Sequence, residues 1–159
     1  MADAPSAQQT ADAVAAHMYA NDRASKAMGM RIVAISEGAA FLEMAVRDDM
    51  LNGFDICHGG FITTLADSAF AFACNSTGDV TVASGLSVDF LAPAQRGDVL
   101  TARAFEVVNA GRSGLYDITV TNQRGEQVAL VRGRSHRLKG RRVLPGEAGS
   151  AAPSNRVPS

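Results

Sequence analysis

A polar loop that runs straight into a long apolar segment is the feature that most constrains how this chain folds. The loop covers residues 52–60, and the apolar segment continues to Asn75. The large or apolar positions on one face of that segment are Phe61, Leu65, Ala69 (or Ser68) and Phe72. Because steps of three or four residues match the α-helical period, this spacing predicts a helix over about residues 58–76.

A second row on the same predicted helix contains one acid among small side chains. This row consists of Gly60, Thr64, Asp67, Ala71 and Cys74. Because small side chains let another backbone approach closely, the carboxylate of Asp67 need not point into open water. A buried charge is costly unless it is paired, hydrogen-bonded or used in chemistry. Asp67 is therefore a candidate functional residue, with a structural cap or bridge as the alternative.

The paired glycines at the start of this helix leave its entry free of side chains. A ligand atom can then reach the backbone N–H groups, which together with the helix dipole favour a developing negative oxygen. Gly59 and Asp67 are eight residues apart, so they lie about 12 Å apart along one helix. One reacting carbonyl cannot contact both. If both act on one bond, they come from two chains, and an antiparallel pair of helices about a two-fold axis gives two sites per dimer.

The segments around this helix have the composition and alternation of β-strands. We predict strands over residues 30–36, 40–46, 81–91, 98–109, 114–122 and 127–138. Turn residues separate them, and no alternating βαβ pattern is present. The predicted fold class is α+β, with one long central helix packed on an antiparallel sheet of about five to six strands.

The two ends of the chain differ from its middle. An early helix is predicted over residues 10–28, with Gly29 as its stop. Residues 1–9 are expected to be frayed, and the segment 141–159 is rich in Gly, Pro, Ala and Ser and is expected to be a disordered tail. This leaves one domain over residues 10–140.

Composition excludes several classes of protein. A formal net charge of -1 argues against general nucleic-acid binding. The N-terminus lacks a signal-peptide pattern and no segment has the roughly 18 apolar residues of a membrane span. Two cysteines are too few for a disulfide scaffold, so we expect free thiols in the cytoplasm. His17 and His136 are isolated, so no metal site is expected.

Three motifs in order resemble the hotdog-fold acyl-CoA thioesterases, and most closely their phenylacetic-acid-pathway type. They are His58-Gly59-Gly60, Leu65-Ala66-Asp67 and the strand from Gly85 to Pro93, within a likeness that covers roughly residues 14–139. The resemblance implies a curved sheet around the helix, and homodimers with shared active sites that associate into homotetramers. It implies hydrolysis of acyl-CoA, with phenylacetyl or ring-hydroxylated acyl groups, without a cofactor, since coenzyme A belongs to the substrate.

The resemblance also suggests roles for individual residues. It implies that the Gly59 N–H polarises the thioester oxygen, either alone or together with the Gly60 N–H. Asp67 is then a general base or a nucleophile, and Ser87 helps to place the attacking water. His58 either holds the loop or transfers a proton. Asn52 either forms a turn or binds the acyl carbonyl, the water or His58.

One dense basic segment, residues 132–142, offers contacts for the phosphates of coenzyme A. Arg132 and Arg134 share one strand face, and Arg112 and Ser113 at a turn are rival candidates. A solvated edge that discourages aggregation is the alternative for the basic segment. Three other functions stay open: a medium-chain acyl-CoA thioesterase, an enoyl-thioester hydratase or dehydratase, and a non-catalytic acyl-CoA-binding module.

Overall fold

The computed structural model describes residues 4–146, which form a six-stranded antiparallel sheet and three α-helices. The helices and strands are α1 (Ala7–Asn21), α2 (Arg23–Ala27), β1 (Arg31–Ser36), β2 (Ala39–Ala45), α3 (Gly59–Asn75), β3 (Asp79–Phe90), β4 (Val99–Ala110), β5 (Ser113–Thr121) and β6 (Gln127–Arg142). A short 3-10 turn, Asp48–Met50, precedes the loop that leads into α3. The predicted α+β class, with a central helix on an antiparallel sheet, is confirmed.

The strand order β1-β2-β4-β5-β6-β3 puts β3 and β1 at the two edges of the sheet. All pairs of neighbouring strands are antiparallel. The helix α3 lies across the sheet and contacts every strand. It therefore supplies the centre of the hydrophobic core, and the edge strand β3 ends beside its N-terminus.

The apolar face of α3 packs on the sheet as its spacing predicts. Leu65, Ala69 and Phe72 are buried, while Phe61 is only partly buried. Phe70 adds a large buried ring, which packs over Gly133 of β6, where a Cβ would lie 3.0 Å from its ring carbons. The opposite row, from Gly60 through Thr64 and Asp67 to Ala71, stays partly exposed.

Polar contacts hold α3 at its C-terminal end and on one flank. At its C-terminal end, the side-chain amide of Asn75 donates to the carbonyl of Thr81 and its oxygen accepts from the Thr81 N–H, each at 2.8 Å. On that flank, the hydroxyls of Ser25 and Ser68 lie 3.0 Å apart, which joins α2 to the helix. The helix is therefore held in one position relative to β3 and to the N-terminal helices.

The terminal segments differ from the sequence predictions. The first helix begins at Ala7, inside the segment predicted to be frayed, because Ser6 and Gln9 form a reciprocal capping box. It ends at Asn21, because the carboxylate of Asp22 caps a second helix by accepting from the Ser25 N–H. The single predicted helix over residues 10–28 is therefore two helices.

At the other end, β6 extends through Arg142, two residues into the predicted tail. Arg142 donates to the carboxylate of Asp79 at 2.7 Å, and the register aligns these two residues. The rest of the predicted tail from residue 147 onward lies outside the described residues. Within residues 4–146, no helix is long and apolar enough to cross a membrane.

Candidate active site

His58 caps the N-terminus of α3. Its Nδ1 accepts a hydrogen bond of 2.9 Å from the backbone N–H of Gly60, and its own backbone N–H donates to the carbonyl of Met50 at 2.8 Å. Since Nδ1 is an acceptor, the neutral ring carries its proton on Nε2. This geometry matches the predicted loop-holding contact. It also occupies the Gly60 N–H, which the sequence had offered as a second donor to the substrate oxygen.

Gly59 is the first residue of α3, and its backbone N–H has no acceptor among residues 4–146. Such a donor at a helix N-terminus is one of the four that intrahelical bonds leave unsatisfied. The helix dipole adds positive potential at the same point. Gly59 therefore offers a free donor where an anionic oxygen is stabilised.

Asn52 shapes the loop in front of this helix. Its Oδ1 accepts from the backbone N–H groups of Phe54 at 2.9 Å and Ile56 at 3.4 Å, so the oxygen holds a turn. The same turn puts Asp55 in the left-handed region, at φ 60°. The side-chain NH2 of Asn52 has no partner in the described part of the chain, and it stays available as a donor.

A cavity of about 530 Å³ brings Asn52 and Gly59 together. The rest of its lining is Ile56, Cys57, Ile62, Phe90, Leu91, Ala92 and Pro93. No charged side chain lies among these residues. The cavity is therefore suited to an apolar group next to the free N–H of Gly59.

Two apolar residues of the preceding loop lie outside this cavity. Met50 is fully buried in the core, and Phe54 is 85% exposed at the loop tip, so neither lines this cavity. Phe90 and Leu91 were missed, because they lie at the end of a strand whose position no pattern relates to the helix start. Cys57 is a buried thiol whose pKa burial raises to about 11, which makes it a poor nucleophile at neutral pH.

Asp67 is half-buried on the open row of α3. Its carboxylate makes no hydrogen bond and no ion pair with any residue in the range 4–146. Burial raises the pKa of this carboxyl above the usual aspartate range. Cys74, which lies two turns further on nearly the same face, contacts the Thr81 carbonyl of β3 through its Sγ at 3.9 Å. Asp67 therefore faces the flank of α3 that lies over the edge strand.

Gly59 and Asp67 lie on the same helix, as predicted. The helical rise separates them by about 12 Å, whereas contacts with one reacting carbonyl are near 3 Å. Within one chain, the free donor and the unpaired carboxylate therefore cannot act on the same bond.

Ser87 lies away from Asp67 of the same chain. Its neighbours Leu86 and Val88 pack against the core, and side chains alternate along a strand, so Ser87 points to the outer face of the sheet. There it shares a cavity of about 460 Å³ with Asp117 and Arg132. The prediction that Ser87 places a water for Asp67 does not fit this geometry within one chain.

The four candidates for coenzyme A contacts separate into two groups. Arg132 forms a two-pronged ion pair with Asp117, with both bonds at 2.7 Å, and this pair lowers the pKa of Asp117. Arg134 makes no ion pair in the described region, and it lines a cavity of about 290 Å³ together with Ser113. Arg112 lies next to Ser113, at the exposed turn before β5, and its guanidinium has no partner within residues 4–146.

Metal-binding side chains are dispersed over the fold. Within the described residues, no group of three or more His, Cys, Asp or Glu side chains has the geometry to hold a metal ion.

Comparison with known proteins relates this geometry to a family. The family described as Thioesterase superfamily matches residues 54–129. The chain is 48% identical over 131 residues to the acyl-coenzyme A thioesterase PaaI of Escherichia coli (strain K12), a match that covers 82% of this chain and 92% of that protein.

Solved structures give the same assignment. The structure of the E. coli PaaI protein from the phenylacetic acid degradation operon has a TM-score of 0.82 and 47% identity, over 84% of this chain and 96% of that one. A mutant of the phenylacetic acid degradation protein PaaI from Thermus thermophilus has a TM-score of 0.71 and 37% identity, over 74% of this chain and 100% of that one. The chain therefore belongs to the thioesterase superfamily, and it is a hotdog-fold thioesterase.

Proposed function

We propose that this enzyme hydrolyses acyl-CoA thioesters whose acyl group is aromatic, such as phenylacetyl or hydroxyphenylacetyl. One observation carries the proposal: the free N–H of Gly59 opens into an apolar cavity at a helix N-terminus. A thioester needs a donor for its carbonyl oxygen and an apolar space for its acyl group. The E. coli relative is named as an acyl-coenzyme A thioesterase, which supports the same substrate class.

Two copies of the chain would complete each site. Asp67 faces the flank of α3 above β3, and β3 pairs only with β6 within the described sheet. A second copy that adds its own β3 to this edge would bring an antiparallel α3 alongside. The Gly59 of one chain would then lie opposite the Asp67 of the other. The separation of about 12 Å between the two residues along one helix would then no longer keep them from acting on the same bond. The proposed assembly is a homodimer with two shared sites, and association of dimers would give a homotetramer.

Each group then has one task in the reaction. The Asp67 carboxylate takes a proton from water while the water oxygen attacks the carbonyl carbon, or the carboxylate itself attacks to form an anhydride that water cleaves. The Gly59 N–H holds the negative oxygen of the tetrahedral intermediate. The carbon–sulfur bond breaks, and coenzyme A leaves as a thiolate that takes up a proton. No metal ion or prosthetic group is required in this scheme.

The raised pKa of Asp67 supports its role as a base. A carboxylate that is removed from water and left unpaired holds a proton more tightly than an exposed one. General bases are more effective when their pKa lies closer to the working pH. Residues with perturbed pKa values cluster at functional sites, where burial is one of the causes.

For the phosphates of coenzyme A, we propose Arg134 with Ser113 and Arg112 rather than Arg132. Arg134 has no carboxylate partner in the described part of the chain, whereas Arg132 is bound by Asp117. Arg134→Ala is expected to raise KM for phenylacetyl-CoA and to leave KM for phenylacetyl-N-acetylcysteamine, which lacks phosphates, unchanged. An equal effect on both substrates would remove Arg134 from phosphate binding, and Arg132→Ala is the matched control.

The proposal is tested by removing the Gly59 donor alone. Proline is tolerated at the first position of a helix and has no N–H, while alanine adds the same Cβ and keeps the N–H. Gly59→Pro is expected to reduce thiol release from phenylacetyl-CoA by about 10²–10³-fold relative to Gly59→Ala. Equal rates for the two variants would exclude the donor role.

The same assay separates the other functions. Octanoyl-CoA turnover above that of phenylacetyl-CoA would favour a medium-chain enzyme. Tight binding of acyl-CoA by the native protein without thiol release would favour a binding module instead.

A further inference from the structure

The ring of Phe90 lies directly over Gly59. A Cβ built on Gly59 would lie 2.8 Å from Cζ of Phe90 and 3.2 Å from both Cε atoms. Real Cβ atoms do not approach other atoms to 2.8 Å, so the ring occupies the space that any side chain at position 59 would need. The position of this ring therefore depends on the absence of a side chain at Gly59.

Phe90 is held at this position by the sheet. It is the last residue of β3, and it pairs with the buried Ala129 of β6, which directs its ring to the face that carries α3. Phe90 nevertheless remains 55% exposed, because it lies at the wall of the cavity beside Gly59 and Ile62. An exposed aromatic face thus borders the free N–H at the helix start.

The geometry around a bound carbonyl puts the acyl group against this ring. An oxygen that accepts from the Gly59 N–H lies about 2.9 Å from that nitrogen. The carbonyl carbon and the next one or two acyl atoms lie within a further ~1.2–3 Å, since these are single covalent steps. Because the ring fills the space where a Cβ of Gly59 would lie, those atoms lie within van der Waals reach of the ring.

We propose that Phe90 determines acyl specificity, with its ring as the wall on which an aromatic acyl group packs. This inference rests on the proposed thioesterase function and names a residue of that same site. Two aromatic rings in offset or edge-to-face contact gain stability beyond the area that they bury. A flat arylacetyl group therefore gains more from Phe90 than an acetyl group, whose single methyl covers only a small part of the ring.

The test compares phenylacetyl-CoA with acetyl-CoA in Phe90→Leu. Leucine keeps an apolar side chain in the cavity and removes the aromatic face. The ratio of kcat/KM for phenylacetyl-CoA to that for acetyl-CoA is expected to fall about tenfold, the size of a strong aromatic contact. The matched control is Phe105→Leu, since Phe105 is 48% exposed but lies on β4, on the outer face of the sheet. An unchanged ratio in Phe90→Leu would overturn the inference.

A second pair of variants tests the contact with Gly59. Gly59→Ala should lower turnover of both substrates, because its Cβ displaces the ring. Adding Phe90→Leu should restore acetyl-CoA turnover, since leucine lacks the Cζ atom that the Cβ meets, but not phenylacetyl-CoA turnover. Failure to restore acetyl-CoA turnover would contradict the assigned contact.

A binding readout separates this inference from the proposed function. Calorimetry with the hydrolysis-resistant thioether analogues of phenylacetyl-CoA and acetyl-CoA measures acyl preference without catalysis. If the native protein hydrolyses neither thioester, the proposed function fails. The inference about Phe90 then stands or falls on whether Phe90→Leu reduces the preference for the arylacetyl analogue about tenfold.

Discussion

Two aspartates in different regions of this molecule are removed from open water, but only one of them is surrounded by hydrogen-bond donors. Asp98, at the loop before β4, is 3% exposed and accepts hydrogen bonds from the Gln95 N–H at 2.8 Å, the Gln123 amide at 2.8 Å and Arg124 at 3.1 Å. Asp67, on the open row of α3, is half-buried and has no partner in the described chain.

The pKa values of the two carboxyls follow these surroundings. Burial alone would raise the pKa of Asp98, but the donors from Gln95, Gln123 and Arg124 together lower it. Burial is the only cause acting on Asp67, and it raises the pKa. Burial by itself therefore does not identify a functional acid. Asp98, which joins two loops, receives hydrogen bonds on both carboxylate oxygens. Asp67, the candidate catalytic acid, receives none in the described chain and remains available to accept a proton.

The largest expected effect is on activity at Asp67. Asp67→Asn removes the proton acceptor, so thiol release from phenylacetyl-CoA should fall by about 10²–10⁴-fold. The melting temperature should stay the same or rise, because an unpaired and partly desolvated charge is lost. Asp89→Asn is the control, since Asp89 is an exposed acid on the outer face of β3. Equal activity in both variants would remove Asp67 from the mechanism.

The complementary effect is on stability at Asp98. Asp98→Asn loses the charge that three donors surround, so the free energy of unfolding should fall by about 1.5–3 kcal/mol in urea denaturation. Turnover at a temperature where the variant is folded should be unchanged. Asp49→Asn, which removes an exposed partner of Arg47, should change stability little. If Asp98→Asn leaves the free energy of unfolding unchanged, the hydrogen bonds to Asp98 do not stabilise the fold, and this difference between the two acids is contradicted.

The effect of pH on the stability that Asp98 contributes follows from the direction of its pKa shift. Its pKa is lower in the folded than in the unfolded protein, so its carboxylate contributes stability above the unfolded value of about 3.9. That stability is lost as the pH falls through the lowered folded pKa. The native protein should therefore lose more stability than Asp98→Asn over this acid range.

As the pH falls, protonation of Asp67 should lower activity before protonation of Asp98 lowers the stability of the fold. The carboxylate acts only when ionised, so kcat/KM falls as the pH falls through its pKa. Because burial raises that pKa, the acid limb of the profile should lie above about 3.9, the usual aspartate value. A profile of kcat/KM against pH for the native protein measures it. A limb at or below the usual value would show that Asp67 is solvated or paired in the active assembly.

The smallest expected effect is at His58, where capping and proton transfer predict different outcomes. His58→Ala removes the acceptor of the Gly60 N–H and should cost about 1 kcal/mol of unfolding free energy. Asparagine is a good helix cap, so His58→Asn should keep most of the stability and most of the turnover. A large loss of turnover in His58→Asn, with the fold intact, would indicate that the ring transfers a proton.

The sequence was most informative where periodicity was strong. The helix α3 spans residues 59–75 against the predicted 58–76, because its apolar face repeats over four turns. All six predicted strands are present. Gly59 and Asp67 were singled out as candidates because a glycine pair and a lone acid stand out against an apolar helix, and their roles stay predictions.

Features that depend on tertiary pairing could not be predicted in this way. The bond between Arg132 and Asp117 depends on strand register, which places the two opposite each other on β6 and β5. The orientation of Ser87 depends on a register shift in β3 between Ala83 and Gly85. The contact of Phe90 with Gly59 joins positions 31 residues apart in sequence, and local pattern carries no signal for it.

The most direct test of a site shared by two chains is complementation between Asp67→Asn and Gly59→Pro. The two variants are co-expressed with different affinity tags, and mixed assemblies are purified through both tags. In a mixed dimer, the intact Gly59 of one chain meets the intact Asp67 of the other, so thiol release should return to about half the native rate per dimer. Mixed assemblies as inactive as the two parents, with native-like size and melting temperature, would contradict the shared site.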